Sequence, residues 1–267
     1  MRRTRLFAMI GSIIVSLSAA FTASVSVCAQ ELPMHLIQTV TERDIFEGML
    51  ALGYLETSAL ETENCDQAYE NVSNCVVRIQ MGNAHGSGII WEITSERIVI
   101  VTNKHVLDYW KEENSYVHFP QGFDVDAQLM GTSEYYDVGF ATVDIRQFTY
   151  EELQEIRCAR VSQDVYEGIR QGDVLFLADA GSMADDAWYY VGTVEKPYQY
   201  IEDLDAYMLY AHCFAKAGMS GGGTFDGRGF LIGMTTAGTA ENETASVPVQ
   251  DMIAAYEEVS RNAASNG

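Results

Sequence analysis

Short runs of apolar residues, separated by turn-forming residues, fill the chain from Cys75 onward. Runs of this length are typical of β-strands, and a series of them favours a closed antiparallel barrel. The first predicted strands are Cys75–Met81, Gly88–Ile93, Ile98–Thr102, Tyr116–Phe119, Ala127–Met130 and Val138–Val143. They predict a first barrel over about residues 68–146.

A second series of runs follows a polar connector of helical composition, Gln147–Ile156. Its predicted strands are Ala159–Val161, Asp173–Ala178, Tyr189–Val194, Ala206–His212, Gly229–Ala237 and Ala245–Val247. They predict a second barrel over about residues 157–248. The fold class expected from the two series is all-β, with two antiparallel six-stranded barrels.

Helical spacing of apolar residues is found on both sides of the two barrels. The positions are Ile45, Phe46, Met49, Leu50, Leu52 and Leu55 before the barrels and Met252, Ile253 and Tyr256 after them. The first set predicts a helix from Thr41 to about Leu60, within an N-terminal extension of residues 30–67. The second set predicts a C-terminal helix over about residues 249–262.

The first 29 residues have the pattern of a secretory signal. Arg2, Arg3 and Arg5 precede the apolar stretch Leu6–Val27, and small residues follow, so cleavage is expected after Ala29. The protein is therefore expected to be secreted or extracytoplasmic. An uncleaved membrane anchor is the alternative, because the apolar stretch is long for a signal core.

The formal net charge of −22 bears on the choice of partner. Such a field repels nucleic acid and anionic membrane surfaces, so no nucleic acid is expected as a partner. Contact with a membrane is expected only if the N-terminal segment stays uncleaved. The sequence has no spacing typical of a zinc or calcium site, and neither a metal nor a cofactor is expected.

The turn Gly218–Gly222 contains a candidate nucleophile, Ser220, and every histidine of the chain precedes it. The histidines are His35, His85, His105, His118 and His212. An α/β-hydrolase needs a histidine after its serine, which excludes that class. Two orders remain: the subtilisin order, which needs an acid before the histidine, and the chymotrypsin order of histidine, acid, serine. Only the second has good local candidates.

His105 and Asp137 are the candidate partners of this serine. His105 follows a buried apolar run, as expected when a strand delivers a side chain to a cleft. Asp137 opens a strand-like stretch, where a carboxylate can orient an imidazole. The competing acids are Asp108, Asp124, Asp126 and Asp144.

Three separated blocks of sequence resemble the trypsin-like serine proteases, and within them the HtrA-type branch. The blocks are Gly86–Ile90 with Val101–Val106, Asp137–Ala141, and Gly218–Gly222 with Gly233–Ala237. The resemblance implies a chymotrypsin-like protease domain over residues 68–267 and a His105, Asp137, Ser220 triad. It also implies endopeptidase activity through an acyl-enzyme on protein or peptide substrates. No pattern for the PDZ module of most HtrA relatives follows the second barrel.

The resemblance implies roles for the residues around the serine. The backbone N–H groups of Gly218 and Ser220 would form the oxyanion hole. Met219 departs from the family, because digestive relatives carry an aspartate there that receives a freshly cut N-terminus. Activity is therefore expected without such a cut.

By the same resemblance, Phe214 would lie at the base of the primary substrate pocket, and Thr235, Thr236 and Ala237 would line it. Phe214 offers no counter-charge to a basic side chain, so small or aliphatic residues are expected at the cleavage site.

Two further expectations concern the thiols and the runner-up function. The four cysteines after the signal allow three pairings, and we expect Cys65 with Cys75 and Cys158 with Cys213. A catalytically silent protein of the protease fold that binds peptides is the alternative function. Covalent labelling of Ser220 would separate the two.

Overall fold

The computed structural model describes residues 40–180 and 189–266. The predicted signal segment, residues 1–29, lies outside the described residues, as do residues 30–39 of the predicted extension. Within the described part, no helix combines the length and apolar character needed to span a membrane.

Six antiparallel strands close the first barrel in the order β1-β2-β3-β6-β5-β4. They are β1 (Val76–Met81), β2 (Ala84–Ile93), β3 (Arg97–Thr102), β4 (Ser115–His118), β5 (Asp124–Thr132) and β6 (Gly139–Asp144). All six match predicted runs. Strand β3 is buried on both faces from Ile98 to Thr102 because its β-branched side chains alternate between the barrel interior and the packed exterior.

The second barrel closes in the order β10-β11-β12-β9-β8-β7. Its strands are β7 (Val174–Ala178), β8 (Tyr189–Ile201), β9 (Ala206–His212), β10 (Gly223–Asp226), β11 (Leu231–Gly238) and β12 (Glu243–Pro248). The all-β, chymotrypsin-like fold of two six-stranded barrels is therefore confirmed.

Two details of the second barrel differ from the prediction. Ala159–Val161 is not a strand; next to it, Cys158 forms one isolated parallel bridge with Glu56. The sixth strand is instead Gly223–Asp226, which was not predicted because the glycine-rich sequence around it is typical of a turn. It pairs with β7 and with β11, so its backbone is satisfied on both sides despite its low intrinsic strand preference.

The predicted N-terminal helix, from Thr41 to about Leu60, is present but ends earlier, as α1 (Glu42–Ala51). A second helix that was not predicted, α2 (Cys65–Val72), follows it. Gly53, at a φ of 68°, follows α1 in the left-handed conformation that ends a helix. Asn64 caps α2 by accepting from the N–H of Gln67. The remaining short helices are α3 (Lys104–Leu107), α4 (Tyr150–Leu153) and α5 (Gln163–Gly168).

The C-terminal helix α6 (Val249–Asn266) follows the second barrel in sequence but also packs on the first. Its buried residues include Met252, Ala255 and Val259, at helical spacing. Of the three predicted positions, Met252 is fully buried, whereas Ile253 and Tyr256 are half-buried. The ring of Tyr256 contacts those of Trp91 and Phe140, which belong to β2 and β6. The helix therefore ties the end of the described chain to the barrel that carries the candidate acid and base.

Cys65, Cys75, Cys158 and Cys213 are all free thiols, so the expected disulfides are not formed. Cys75 is fully buried in the main apolar core, and Cys213 is buried in a separate apolar cluster of the second barrel. Burial raises the pKa of the Cys158 thiol to about 11 and that of Cys213 to about 12. A raised pKa disfavours the reactive thiolate.

Candidate active site

His105 and Asp137 meet at the mouth of the first barrel. Strand β3 ends at Thr102, and His105 is the second residue of the short helix α3. The ring Nδ1 lies 2.7 Å from Asp137 Oδ2, and the backbone N–H of His105 donates to Oδ1 at 2.9 Å. Both carboxylate oxygens therefore hold the same histidine.

The hydrogen bond that His105 donates to Asp137 raises the pKa of His105 above its ordinary value of 6.5 and outweighs the opposing effect of burial. A carboxylate can only accept, so Nδ1 carries the proton. In the neutral ring, Nε2 is then the nitrogen with a free lone pair, as a general base requires.

Ser220 lies on a tight turn between β9 and β10 of the second barrel, where this barrel contacts the first. Gly218 and Gly221 have φ angles of 95° and 85°, which side-chain-bearing residues rarely adopt. A Cβ at Gly221 would lie 2.1 Å from the carbonyl oxygen of Ser87, so only glycine fits there. The backbone N–H of Ser87 donates to the carbonyl of Ser220 at 2.8 Å, which fixes the turn against β2.

Hydrogen bonds between the barrels bring the serine turn to the histidine segment. Ser220 Oγ donates to the carbonyl of Thr236 at 3.3 Å. Asn103 Nδ2, two residues before His105, donates to Thr236 Oγ1 at 2.9 Å and to the carbonyl of Asp137 at 3.1 Å. All three candidate catalytic residues are thus connected through one threonine and one asparagine.

Ser87 and Asn103 are structural partners that the sequence analysis missed. The Ser87 hydroxyl donates to the carbonyl of Gly218 at 3.0 Å. Asn103 is fully buried directly after the apolar strand β3. A polar residue in that position signals a hydrogen-bond partner, because burying an unsatisfied amide is costly. Its Nδ2 donates both bonds, and Oδ1 accepts from no described residue.

The backbone N–H groups of Gly218 and Ser220 donate to no other described residue. Free donors next to a candidate nucleophile are what an oxyanion hole requires. Met219 lies between them with 1% of its surface exposed, and its sulfur accepts from the N–H of Lys216 at 3.2 Å. An apolar side chain therefore occupies the position of the activating aspartate of digestive relatives.

A small cavity of about 160 Å³ opens beside Ser220. Its lining consists of Ala215, Lys216, Ala217, Ser220, Thr235, Thr236, Ala237 and Gly238. The three predicted pocket residues of β11 are among them. Phe214 is not; its ring is 40% exposed and packs on Tyr190 instead, with the ring centroids 4.7 Å apart.

The family model of the trypsin-like peptidase domain matches residues 86–234, more than half of the chain. The chain belongs to the trypsin-like peptidase family. The resemblance inferred from the three sequence blocks is confirmed at this level, and the chain carries a protease fold. No curated protein matches this peptidase.

Solved structures of HtrA-type proteases share the fold of this trypsin-like peptidase. The protease AlgW with a decapeptide has a TM-score of 0.62 at 15% identity, over 75% of this chain and 68% of the other. AlgW with a tripeptide has a TM-score of 0.61 at 19% identity, over 73% and 63%. The chain thus spans as little as 63% of the length of these relatives.

Proposed function

We propose that this trypsin-like peptidase is an exported serine endopeptidase that hydrolyses peptide bonds through His105, Asp137 and Ser220. The observation that supports the proposal best is the doubly hydrogen-bonded His105 and Asp137 pair. It is linked through Asn103 and Thr236 to the hydroxyl of Ser220. The order of the three residues along the chain agrees with this assignment.

In the proposed reaction, Ser220 Oγ attacks the carbonyl carbon of the scissile peptide bond while His105 Nε2 takes the hydroxyl proton. Asp137 stabilises the imidazolium that results. His105 then returns the proton to the leaving amine, and the acyl group stays on Ser220. Water, deprotonated by the same nitrogen, attacks the ester carbon and releases the acid, and the proton returns to Ser220 Oγ.

The oxyanion of each tetrahedral intermediate would be held by the N–H groups of Gly218 and Ser220. A preorganised donor of this kind contributes about 3 kcal/mol to the transition state. The buried Met219 cannot form an ion pair with an α-ammonium group, so the hole would form without a newly cut N-terminus. A variant with a blocked or extended N-terminus should keep its activity, and complete loss of activity would contradict this step.

The small cavity beside Ser220 supports a preference for small residues at the cleavage site. Its walls come mainly from alanine, threonine and glycine. A Cβ added at Gly238 would lie 2.7 Å from that of Ala215, which shows how close the walls are. None of the described residues that line the cavity carries a carboxylate, so they offer no counter-charge to an arginine or lysine side chain. Dominant cutting after arginine in a peptide-library profile would refute this preference.

The proposed substrates are unfolded or exposed segments of proteins outside the cytoplasm. Export is supported by the pattern of residues 1–29, and the proposed mature chain begins at Gln30. Sequencing the N-terminus of the purified natural protein tests this assignment; a chain that still begins at Met1 would favour the membrane anchor.

The proposed activity is tested with casein and with a fluorophosphonate probe on the mature protein. Both casein hydrolysis and covalent labelling should be present and should disappear in Ser220→Ala. The matched control is Ser162→Ala, a serine that directly precedes α5, ahead of the second barrel, and lies outside the candidate site. Absence of labelling in a folded protein would favour the silent peptide-binding alternative.

A further inference from the structure

Ser133 organises the loop that presents Asp137. It is fully buried, and its N–H donates to the carbonyl of Val138 at 2.9 Å, which closes the loop. Its hydroxyl oxygen accepts from the N–H groups of Tyr135 at 3.1 Å and Tyr136 at 3.2 Å. One hydroxyl therefore satisfies two successive backbone donors directly before the acid.

Glu258, on helix α6, completes this arrangement. The Ser133 hydroxyl donates to Oε2 at 2.6 Å, and the N–H of Glu134 donates to Oε1 at 2.8 Å. Because both lone pairs of the hydroxyl are used, its proton must go to an acceptor. Two donors thus face the two oxygens of Glu258, and among side chains of this size only a carboxylate accepts at both positions.

Helix α6 holds the carboxylate of Glu258 in place. Ala255 and Val259, on either side of it in sequence, are buried against the barrels. The Tyr256 hydroxyl donates to Glu92 at 2.5 Å, which fixes this turn of the helix to β2. The glutamate therefore extends from a turn of the helix that is held by contacts other than those with the loop.

The loop is also connected to the histidine. Lys104 Nζ donates to the carbonyl of Ser133 at 2.9 Å, and Asp137 holds both the ring and the backbone of His105. A loop that loses its anchor would shift the carboxylate relative to the imidazole. Displacements of about 1 Å in such a pair cost up to about 100-fold in rate.

We propose that Glu258, acting through Ser133, is a positioning residue that keeps Asp137 in register with His105. The inference rests on the proposed protease function, since it assigns Asp137 a catalytic task. Glu258 touches neither His105 nor Ser220, so its effect passes through the backbone of the loop. The C-terminal helix thereby becomes part of the support of the active site.

The test compares Glu258→Gln with Glu257→Gln, which removes the same charge from an exposed neighbour on the same helix. The glutamine turns an N–H group towards one of the two loop donors. We expect kcat on a peptide substrate to fall about 10-fold with little change in KM. The control should keep wild-type kinetics.

A second readout does not require activity. In Ser220→Ala protein labelled on its histidines, the NMR titration of His105 should move towards its ordinary pKa in Glu258→Gln and stay unchanged in Glu257→Gln. If the protein fails to hydrolyse any substrate, this titration still tests the positioning role. The proposal and the protease function can therefore fail separately.

Thermal unfolding of each variant separates positioning from simple destabilisation. If Glu258→Gln unfolds at a lower temperature than the control, but its His105 titration and kcat match those of the control, the glutamate is only structural. That result overturns the proposal. If that variant does not fold, Ser133→Cys decides, because it keeps the shape of the side chain and weakens the same hydrogen bonds. An unshifted His105 titration in Ser133→Cys would also overturn the proposal.

Discussion

The two barrels hold their shares of the candidate site by different means. In the first barrel, side chains fix the geometry: Asp137 binds His105 with both oxygens, and Ser133 anchors the loop before it. In the second barrel, glycines and backbone hydrogen bonds fix Ser220. A general base needs a defined tautomer, whereas a nucleophile flanked by backbone donors needs close approach of the main chain.

The largest expected effect comes from removing either half of the proposed catalytic unit. His105→Ala and Ser220→Ala should each lower kcat/KM by on the order of 10⁴-fold or more, and the double variant should lose little beyond either single one. Non-additivity is expected because the two groups act in the same proton transfer. Steady-state hydrolysis of one peptide by the four proteins measures it; additive losses would contradict a shared step.

Asp137→Asn should follow, with a loss of about 10³ to 10⁴-fold in kcat. The amide would offer a donor to Nδ1 and favour the wrong tautomer. Activity requires neutral His105, so the wild-type rate should rise with pH through a pKa above 6.5. Without the carboxylate, that pKa falls, and the acidic limb of the pH profile should move to lower pH. A limb that stays in place would assign it to another group.

Removing the hydrogen bond between the barrels should lower kcat by less. Asn103→Ala and Thr236→Val each remove one partner of the 2.9 Å hydrogen bond that joins the histidine segment to β11. In a double-variant cycle on kcat, we expect a coupling energy of about 1 kcal/mol. A coupling near zero would mean that the two barrels align their catalytic groups without this bond.

Asp251, in the first turn of α6, gives a test of how the helix that packs on both barrels contributes to stability. Burial raises its pKa to about 6, so the folded protein binds its proton more tightly than the unfolded chain does. The contribution of this proton to folding stability is complete below the pKa that Asp251 has in the unfolded chain. It is lost as pH rises through about 6.

Asp251→Asn should therefore increase the free energy of unfolding at pH 8 by at most about 3 kcal/mol, with the gain vanishing towards pH 4. Urea unfolding at both pH values measures it, with Glu257→Gln as the control. An equal gain at both values would show that the carboxyl does not titrate as its burial indicates.

Local pattern was enough to predict the first barrel, whereas the candidate triad also required the order of three separated sequence blocks. Strand β3 is a continuous β-branched run that ends three residues before His105. Neighbouring residues are therefore enough to predict both that the strand is buried and that it leads to the histidine. Strand β10 was missed because Gly223 and its neighbours have the composition of a turn, and only pairing with β7 and β11 makes them a strand.

Contacts between distant positions were beyond the sequence pattern. Ser133 and Glu258 are 125 positions apart, and nothing in either segment indicates the other. The family resemblance implies that Phe214 lies at the base of the pocket. The chain between Phe214 and Ser220 turns so that Ala215, Lys216 and Ala217 line the cavity instead.

The position of helix α6 has a consequence for the timing of synthesis. Residues 249–266 leave the ribosome after both barrels, yet Glu258 is the anchor proposed for the loop of the first one. On that proposal, the nascent chain contains Asp137 and Ser220 before it contains the glutamate that keeps Asp137 in register with His105. The full proteolytic rate would then be reached only once translation has passed the helix.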